Sequence, residues 1–521
     1  MGVIAETMNF ISINFLFIFL PVVLAVWIVL TRKGLTPAAM VFLSAASAVF
    51  YAAGSLKDLF LIMVSALLNY AVALAIASSQ GIRKSLLLQL GVVLNCLFLA
   101  YYKYSLFLLD IAAQTTGFHL SFVPPAFPVG ISFYTLQQVA YLMMVSHQGR
   151  AERKPWNYLS FVLFFPKLTA GPIVYATEYF AQLNDNWKGH LTRYEDLSVG
   201  LFLFCIGAFK KVVISEPFAQ TANTVFGSVG QDSFSLLGAW TGITAYTIQL
   251  YFDFSGYSDM AIGAARMFGF RLPQNFDSPL RATSLLEFWR GWHMTMTRFF
   301  MDHVFNPIAI RLTRREMTAR SGRLRMLLFT VVFPTTVTFL VSGIWHGAGW
   351  NFICFGLVHG IALSANHAWR SFKMPSLPAP VGWMLMFVTV MVSFVFFRAA
   401  GFGQAVAFLR EMFSGDLVWP EWTAALAASL PGKVGAVVGL SRHFVLCAAS
   451  GLAVILLCPN SNWLLRNYAP TYRYKQRALS GGVFKSLEWS PTVSWAALIA
   501  CLFIVVLLNM YNQTPFVYLA F

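Results

Sequence analysis

Apolar runs of about 20 residues recur along the whole chain, and this recurrence limits its possible folds more than any single motif does. A helical run of that length matches the hydrocarbon thickness of a bilayer, because each helical residue advances about 1.5 Å. Candidate spans are residues 11–30, 37–53, 59–77, 86–108, 127–145, 197–214, 234–253, 327–345, 350–369, 382–397, 444–458 and 493–511. Only 11% of the 521 residues are charged and 58% are hydrophobic, whereas a soluble domain carries roughly a quarter charged residues. The expectation is an all-α polytopic membrane protein with about 11–13 transmembrane helices plus re-entrant and interfacial helices. No internal repeat or low-complexity linker divides the chain, so residues 1–521 read as a single integral-membrane domain.

The net charge of +16 could point to nucleic acid, but its distribution argues for a membrane. Lys and Arg gather at residues 32–33, 83–84, 150–154, 311–325 and 466–485, while connections 110–125 and 215–232 contain none. That asymmetry follows the positive-inside rule, with the basic loops cytoplasmic and both termini and connection 401–442 outside. The alternation works if residues 158–175 enter and leave on one side. That segment contains Phe164-Phe165-Pro166-Lys167-Leu168-Thr169-Ala170-Gly171-Pro172, whose prolines and glycine interrupt a helix and free backbone groups. Such groups are tolerated at depth only under cover of protein or water, so a re-entrant element is expected, with an interfacial loop as the alternative. The N-terminus lacks a basic n-region and a cleavage site, which makes 11–30 a retained span. The six cysteines lie in or beside apolar runs without a C-x-x-C pair and read as packing residues.

Soluble catalytic signatures are missing: there is no G-x-S-x-G elbow, phosphate loop or H-E-x-x-H helix, and no metal site is expected. The candidates for chemistry are polar residues at membrane depth, where an unpartnered polar group is costly. His346, in Trp345-His346-Gly347, and His293, in Phe288-Trp289-Arg290-Gly291-Trp292-His293, stand out. Histidine titrates nearest neutrality and can act as a general base, worth about two to four powers of ten in rate. That role requires a ring reachable through a channel. A lone histidine between helices is usually a packing residue; two, each beside tryptophan, carry more weight. Glu287, Arg290 and His293 recur at a spacing of three and predict one polar helical face. Gly347 and Gly349 predict close approach of backbone or substrate. Asp253, Ser255 and Asp259 predict hydrogen bonding that is structural or orients a substrate, because carboxylates six residues apart do not share a helix face. Asn351 is a further polar candidate. His359 shares the 350–369 run and reads as packing. Arg311, Arg314 and Arg315 belong to a basic loop that is either simply solvated or a landing site for an anionic donor.

Four motifs occur in order: Pro128-Val129-Gly130-Ile131-Ser132-Phe133-Tyr134, the Gln249 to Asp259 stretch, the cluster ending at His293, and Gly343-Ile344-Trp345-His346-Gly347. Together they resemble the membrane-bound O-acyltransferase (MBOAT) superfamily, in the bacterial branch that includes alginate O-acetylation and teichoic acid D-alanylation proteins. The resemblance covers residues 15–369 and leaves helices within 382–513 to hydropathy. It implies spans ringing a central tunnel, His346 as the catalytic histidine and His293 as a second, supporting position. Trp289, Trp292 and Trp345 would be tunnel walls, with Asp253, Ser255, Asp259 and Asn351 toward substrate and Arg311, Arg314 and Arg315 toward donor phosphates. The implied activity moves an acyl group, acetyl by preference, from a cytoplasmic thioester such as acetyl-CoA across a bacterial inner membrane. No bound cofactor is expected. An exported partner acetyltransferase and the polysaccharide assembly machinery would complete O-acylation of alginate, cellulose or another exopolysaccharide. The competing reading is a transporter or flippase with a histidine-gated polar pathway.

Overall fold

A computed structural model of the chain describes residues 8–117, 122–123, 126–184, 194–230, 234–414, 448–475, 477, 481, 483–484, 486–511 and 513–517. Among the described residues every regular element is helical. Seven helices are long and apolar enough to cross a membrane: Asn14–Arg32, Leu56–Ala77, Gly81–Lys103, Tyr194–Gly227, Arg323–His346, Trp350–Ser371 and Ala379–Arg398. Three shorter apolar helices accompany them, Thr36–Ala52, Ala448–Leu457 and Val493–Asn509. The protein is therefore an all-α, multi-pass membrane protein. His119, His190, His443 and Cys447, and most of connection 401–442, lie outside the described residues.

Two expected spans, now Ile131–Gln148 and Leu236–Met267, are long but less apolar than the seven. Burial explains the difference: residues 131–142 of the first and 245–267 of the second are buried without exception. A helix sheathed by protein does not face lipid, so it can carry Gln137, Gln138, Asp253 and Asp259 if neighbours satisfy them. The polar stretch from Gln249 to Asp259 thus lies inside a 32-residue helix that runs on beyond residue 253, the expected end of the span.

Glycines set the position of that helix. A Cβ on Gly207 would stand 2.5 Å from the Gly256 carbonyl oxygen, and one on Gly263 would stand 2.5 Å from that of Gly200. The Tyr194–Gly227 and Leu236–Met267 backbones therefore touch at two points seven residues apart, the small-residue packing that brings membrane helices close. A wider, π-type turn follows at Lys210–Ser215. From it Lys210 reaches Asp259 at 2.6 Å and Lys211 pairs with Asp253. A second contact of this kind closes the hairpin of Arg323–His346 and Trp350–Ser371, where a Cβ on Gly356 would meet the Phe339 carbonyl oxygen at 2.4 Å.

The broken segment doubles back within the protein, as a re-entrant element would. It comprises helix Pro155–Leu163, a bend at Phe164 and the short turn Phe165–Leu168, with residues 160–168 and 170–174 buried. Its exit residue Tyr175 shares a cavity of about 140 Å³ with His147, at the end of helix Ile131–Gln148. Its tip abuts the other end of that helix: a Cβ on Gly130 would lie 2.8 Å from the Leu168 carbonyl oxygen. Gly130 also has φ +74°, so glycine is required there on both counts. The buried Lys167 ammonium donates to Gln137 Oε1 and lies 4.5 Å from the centre of the Phe161 ring.

Candidate functional site: two histidines flanking Trp345

Helix Phe333–His346 ends at His346, and the chain turns through Gly347 and Gly349 into Trp350–Ser371. His346 is 4% exposed as a residue, and its ring is boxed by Trp345, Phe355 and Phe397, with centroids at 4.8, 5.5 and 5.2 Å. The close approach expected at Gly347 is made by this chain itself, since a Cβ there would meet the Phe352 ring at 2.1 Å. His346 borders none of the cavities of about 140, 400 and 530 Å³, and aromatic rings pack around it.

His293 approaches the same tryptophan, its ring 6.4 Å from the Trp345 centroid. It is completely buried and stands at φ +41°, just before helix Met294–Phe300. The single polar helical face expected for Glu287, Arg290 and His293 does not form. Helix Leu285–Trp289 stops early because the chain is drawn onto the loop before it: Asp277 N–H donates to the Gly291 carbonyl (2.8 Å) and Met294 N–H to that of Asn275 (2.9 Å). The cost of the left-handed turn is offset by a polar network. The Thr295 hydroxyl and, more weakly, its backbone N–H donate to Asn275 Oδ1, which identifies that atom as the acceptor. His293 Nδ1, 3.0 Å from the same oxygen, is therefore a donor, and in the neutral ring Nε2 carries the lone pair.

Two larger cavities approach this centre from opposite ends. One, of about 400 Å³, opens beside Asn9, Gly54 and Asp58, and reaches inward to Thr169, Lys211 and Tyr257. The other, of about 530 Å³, is bordered by Arg298, Arg473, Lys475 and Arg477 and reaches Thr295. Trp27, near the far end of the first helix, packs on Phe268 and Phe270, which puts the end of Leu236–Met267 and the basic cavity beyond it at that far end. His293 stands two side chains from each. Toward the first cavity stand Phe516 and then Phe254, whose ring is 4.7 Å from His293; toward the second stand Thr295 and Asn275.

The sequence model described as "MBOAT, membrane-bound O-acyltransferase family" matches residues 43–402. The chain belongs to the membrane-bound O-acyltransferase family. A peptidoglycan O-acetyltransferase of Helicobacter pylori is 33% identical over 97% of this chain and 96% of its own length. A probable alginate O-acetylase of Azotobacter vinelandii is 35% identical over 81% of this chain and 82% of its own. A teichoic acid D-alanyltransferase of Streptococcus thermophilus is 28% identical over 54% of this chain and 70% of its own.

Several residues singled out for this MBOAT chain lie away from open space. Trp289 donates from Nε1 to His359 Nδ1 at 3.3 Å, and Trp292 packs against Phe276, Phe288 and Phe394. Neither they nor Trp345 border these three cavities; aromatic rings interdigitate around them. Asp253 and Asp259 are taken up by lysines, Asp259 also accepting from Ser461 Oγ at 2.6 Å. Ser255 is buried, its hydroxyl without a hydrogen-bond partner among the described residues. Asn351 donates to the Phe396 and Ala399 carbonyls and so ties its helix to the end of Ala379–Arg398. Arg311, Arg314 and Arg315 are exposed on helix Asn306–Thr318 and do not border the basic cavity. That helix is held instead through Glu316, whose carboxyl is kept below its usual range by the Ser321 hydroxyl and the Arg325 guanidinium.

The sequence reading missed Asn275 and Thr295, and it missed Lys210 and Lys211. The lysines left a signal, two cations inside the apolar 197–214 run, which at depth calls for acidic partners. Asn275 and Thr295 left none, because polar residues in a short loop are commonplace.

Proposed function

We propose that this acyltransferase moves an acetyl group from a cytoplasmic thioester donor, acetyl-CoA, through a bacterial inner membrane for O-acylation of an extracytoplasmic polysaccharide. The observation that carries the reading is the position of His293 between two cavities that approach from opposite ends, two side chains from each. Relatives aligned over most of the chain, named for peptidoglycan and alginate O-acetylation, support acetyl as the group and a polysaccharide hydroxyl as its destination. The positive-inside pattern supports placing this cavity at the cytoplasmic face, where Arg473 and Lys475, beside the Arg298–Glu178 and Arg477–Asp277 ion pairs, suit an anionic donor. His346 would then take the proton of the attacking hydroxyl and His293 would orient the thioester or the acceptor, once the aromatic packing around Trp345 parts. An exported acetyltransferase and the polymer's assembly machinery would use the product.

The test is His346→Ala. Polymer acetylation is expected to fall by at least about a hundredfold, the scale of general-base help, while the protein still accumulates in the membrane. Acetylation at the normal level would remove His346 from the reaction. Labelled acetyl-CoA offered to purified protein separates this reading from a transporter: acyl turnover supports the enzyme, and movement of a substrate without turnover supports the transporter.

A further inference from the structure

The helix that presents His346 ends without a strong cap of its own. The last carbonyls of any helix lack partners within it, and here the Gly347 N–H reaches Gly343 O only at 3.4 Å. Two consecutive carbonyls just before His346 are instead met by two consecutive residues from far away in the chain. The Tyr104 hydroxyl donates to Ile344 O at 2.7 Å, and the Lys103 ammonium donates to Trp345 O at 2.7 Å. These residues stand where helix Gly81–Lys103 breaks before Ser105–Thr116. The same ammonium reaches Ser132 Oγ at 3.3 Å, on the buried helix Ile131–Gln148 that the re-entrant tip also touches. It lies 5.9 Å from the centre of the Trp345 ring. A cation at a helix C-terminus is favoured by the helix dipole, and a tripod of carbonyl, hydroxyl and ring fixes it in place.

We infer that Lys103 and Tyr104 are positioning residues that clamp the last turn of helix Phe333–His346 and thereby hold Trp345 and His346 in register with His293. The inference rests on His346 acting as the base under the proposed function. The clamp acts on the orientation of a reacting group, so its loss falls on turnover and not on donor binding. A displacement of about 1 Å at a reacting group costs on the order of a hundredfold in rate. Lysine suits the position because its slender stem delivers a point charge with three donors to unlike acceptors.

The experiment measures acetyl-CoA turnover by the purified full-length protein carrying Lys103→Met, Lys103→Arg, Tyr104→Phe or His346→Ala. Lys103→Met is expected to lower kcat by roughly tenfold to a hundredfold with the donor KM unchanged. Tyr104→Phe is expected to lower kcat by about fivefold, the size of one hydrogen bond, and Lys103→Arg, which keeps the charge but not the slender stem, to retain only part of the turnover. Unchanged kcat in both Lys103→Met and Tyr104→Phe overturns the clamp, as does a raised donor KM with kcat retained. If Lys103→Met fails to accumulate, Tyr104→Phe, which removes a single oxygen, decides by the same two criteria. Full turnover in His346→Ala removes the base itself, a failure of the underlying reading that is separate from any result at Lys103.

Discussion

Asp253 and Asp259 present the sharpest question of role at single positions. Both are ionisable groups in the family's polar stretch, yet each is engaged by a lysine in a buried setting. Removing one partner of such a pair strands a charge and costs about 3–5 kcal/mol, whereas replacing both with apolar side chains is often neutral. Asp253→Leu is therefore expected to lower thermal stability in detergent strongly, and Lys211→Met with Asp253→Leu to recover most of it. If Asp253 served substrate directly, the stable double variant would be inactive; turnover within about threefold of the parent, a difference under 1 kcal/mol, marks the pair as architecture. His293 differs in kind, because Asn275 fixes its tautomer and so directs the lone pair away from the loop.

Among the elements, contact between helices Tyr194–Gly227 and Leu236–Met267 sets the geometry of the centre. Two glycine pairs allow the backbones to touch, and that approach gives Lys210 and Lys211 their reach to the facing carboxylates. Gly256→Val adds a branched side chain where a Cβ would already be 2.6 Å from the Gly207 carbonyl oxygen. Overpacking of this sort typically costs about 1–3 kcal/mol, more where backbone is the obstacle. The expected outcome is reduced membrane accumulation and a lower melting temperature, with Gly227→Ala, which meets nothing within 4 Å, as the unaffected control. The re-entrant element follows the same logic, its broken backbone tolerated because the protein encloses it.

Across the whole molecule, charge is distributed in two ways with different consequences. Arg311, Arg314 and Arg315 form an exposed surface that satisfies orientation, while Arg473 and Lys475 border the cavity reaching toward Thr295. With acetyl-CoA as donor, Arg473→Ala together with Lys475→Ala is expected to raise the donor KM by about tenfold, the worth of one charge-assisted contact. The increase should shrink with added salt while kcat holds. Glutamine at all three of 311, 314 and 315 is expected to leave the donor KM unchanged. A larger effect from that triple substitution would move the donor site to the exposed helix.

Membrane residence, the positions of most spans and the broken segment around Pro166 were determined by the sequence alone, because hydropathy and helix interruption are local properties that each stretch carries by itself. The same was true of the motifs that mark the family, including both histidines beside tryptophan. Only the tertiary structure decided that His293 is turned by Asn275, that Asp253 and Asp259 face lysines, and that Lys103 and Tyr104 reach the carbonyls before His346. Those contacts join residues 18 to 242 positions apart, and no periodicity encodes a partner at such separation. They arise from which glycines let helices touch and from the cost of leaving buried charged and backbone groups inside a membrane protein without a complement.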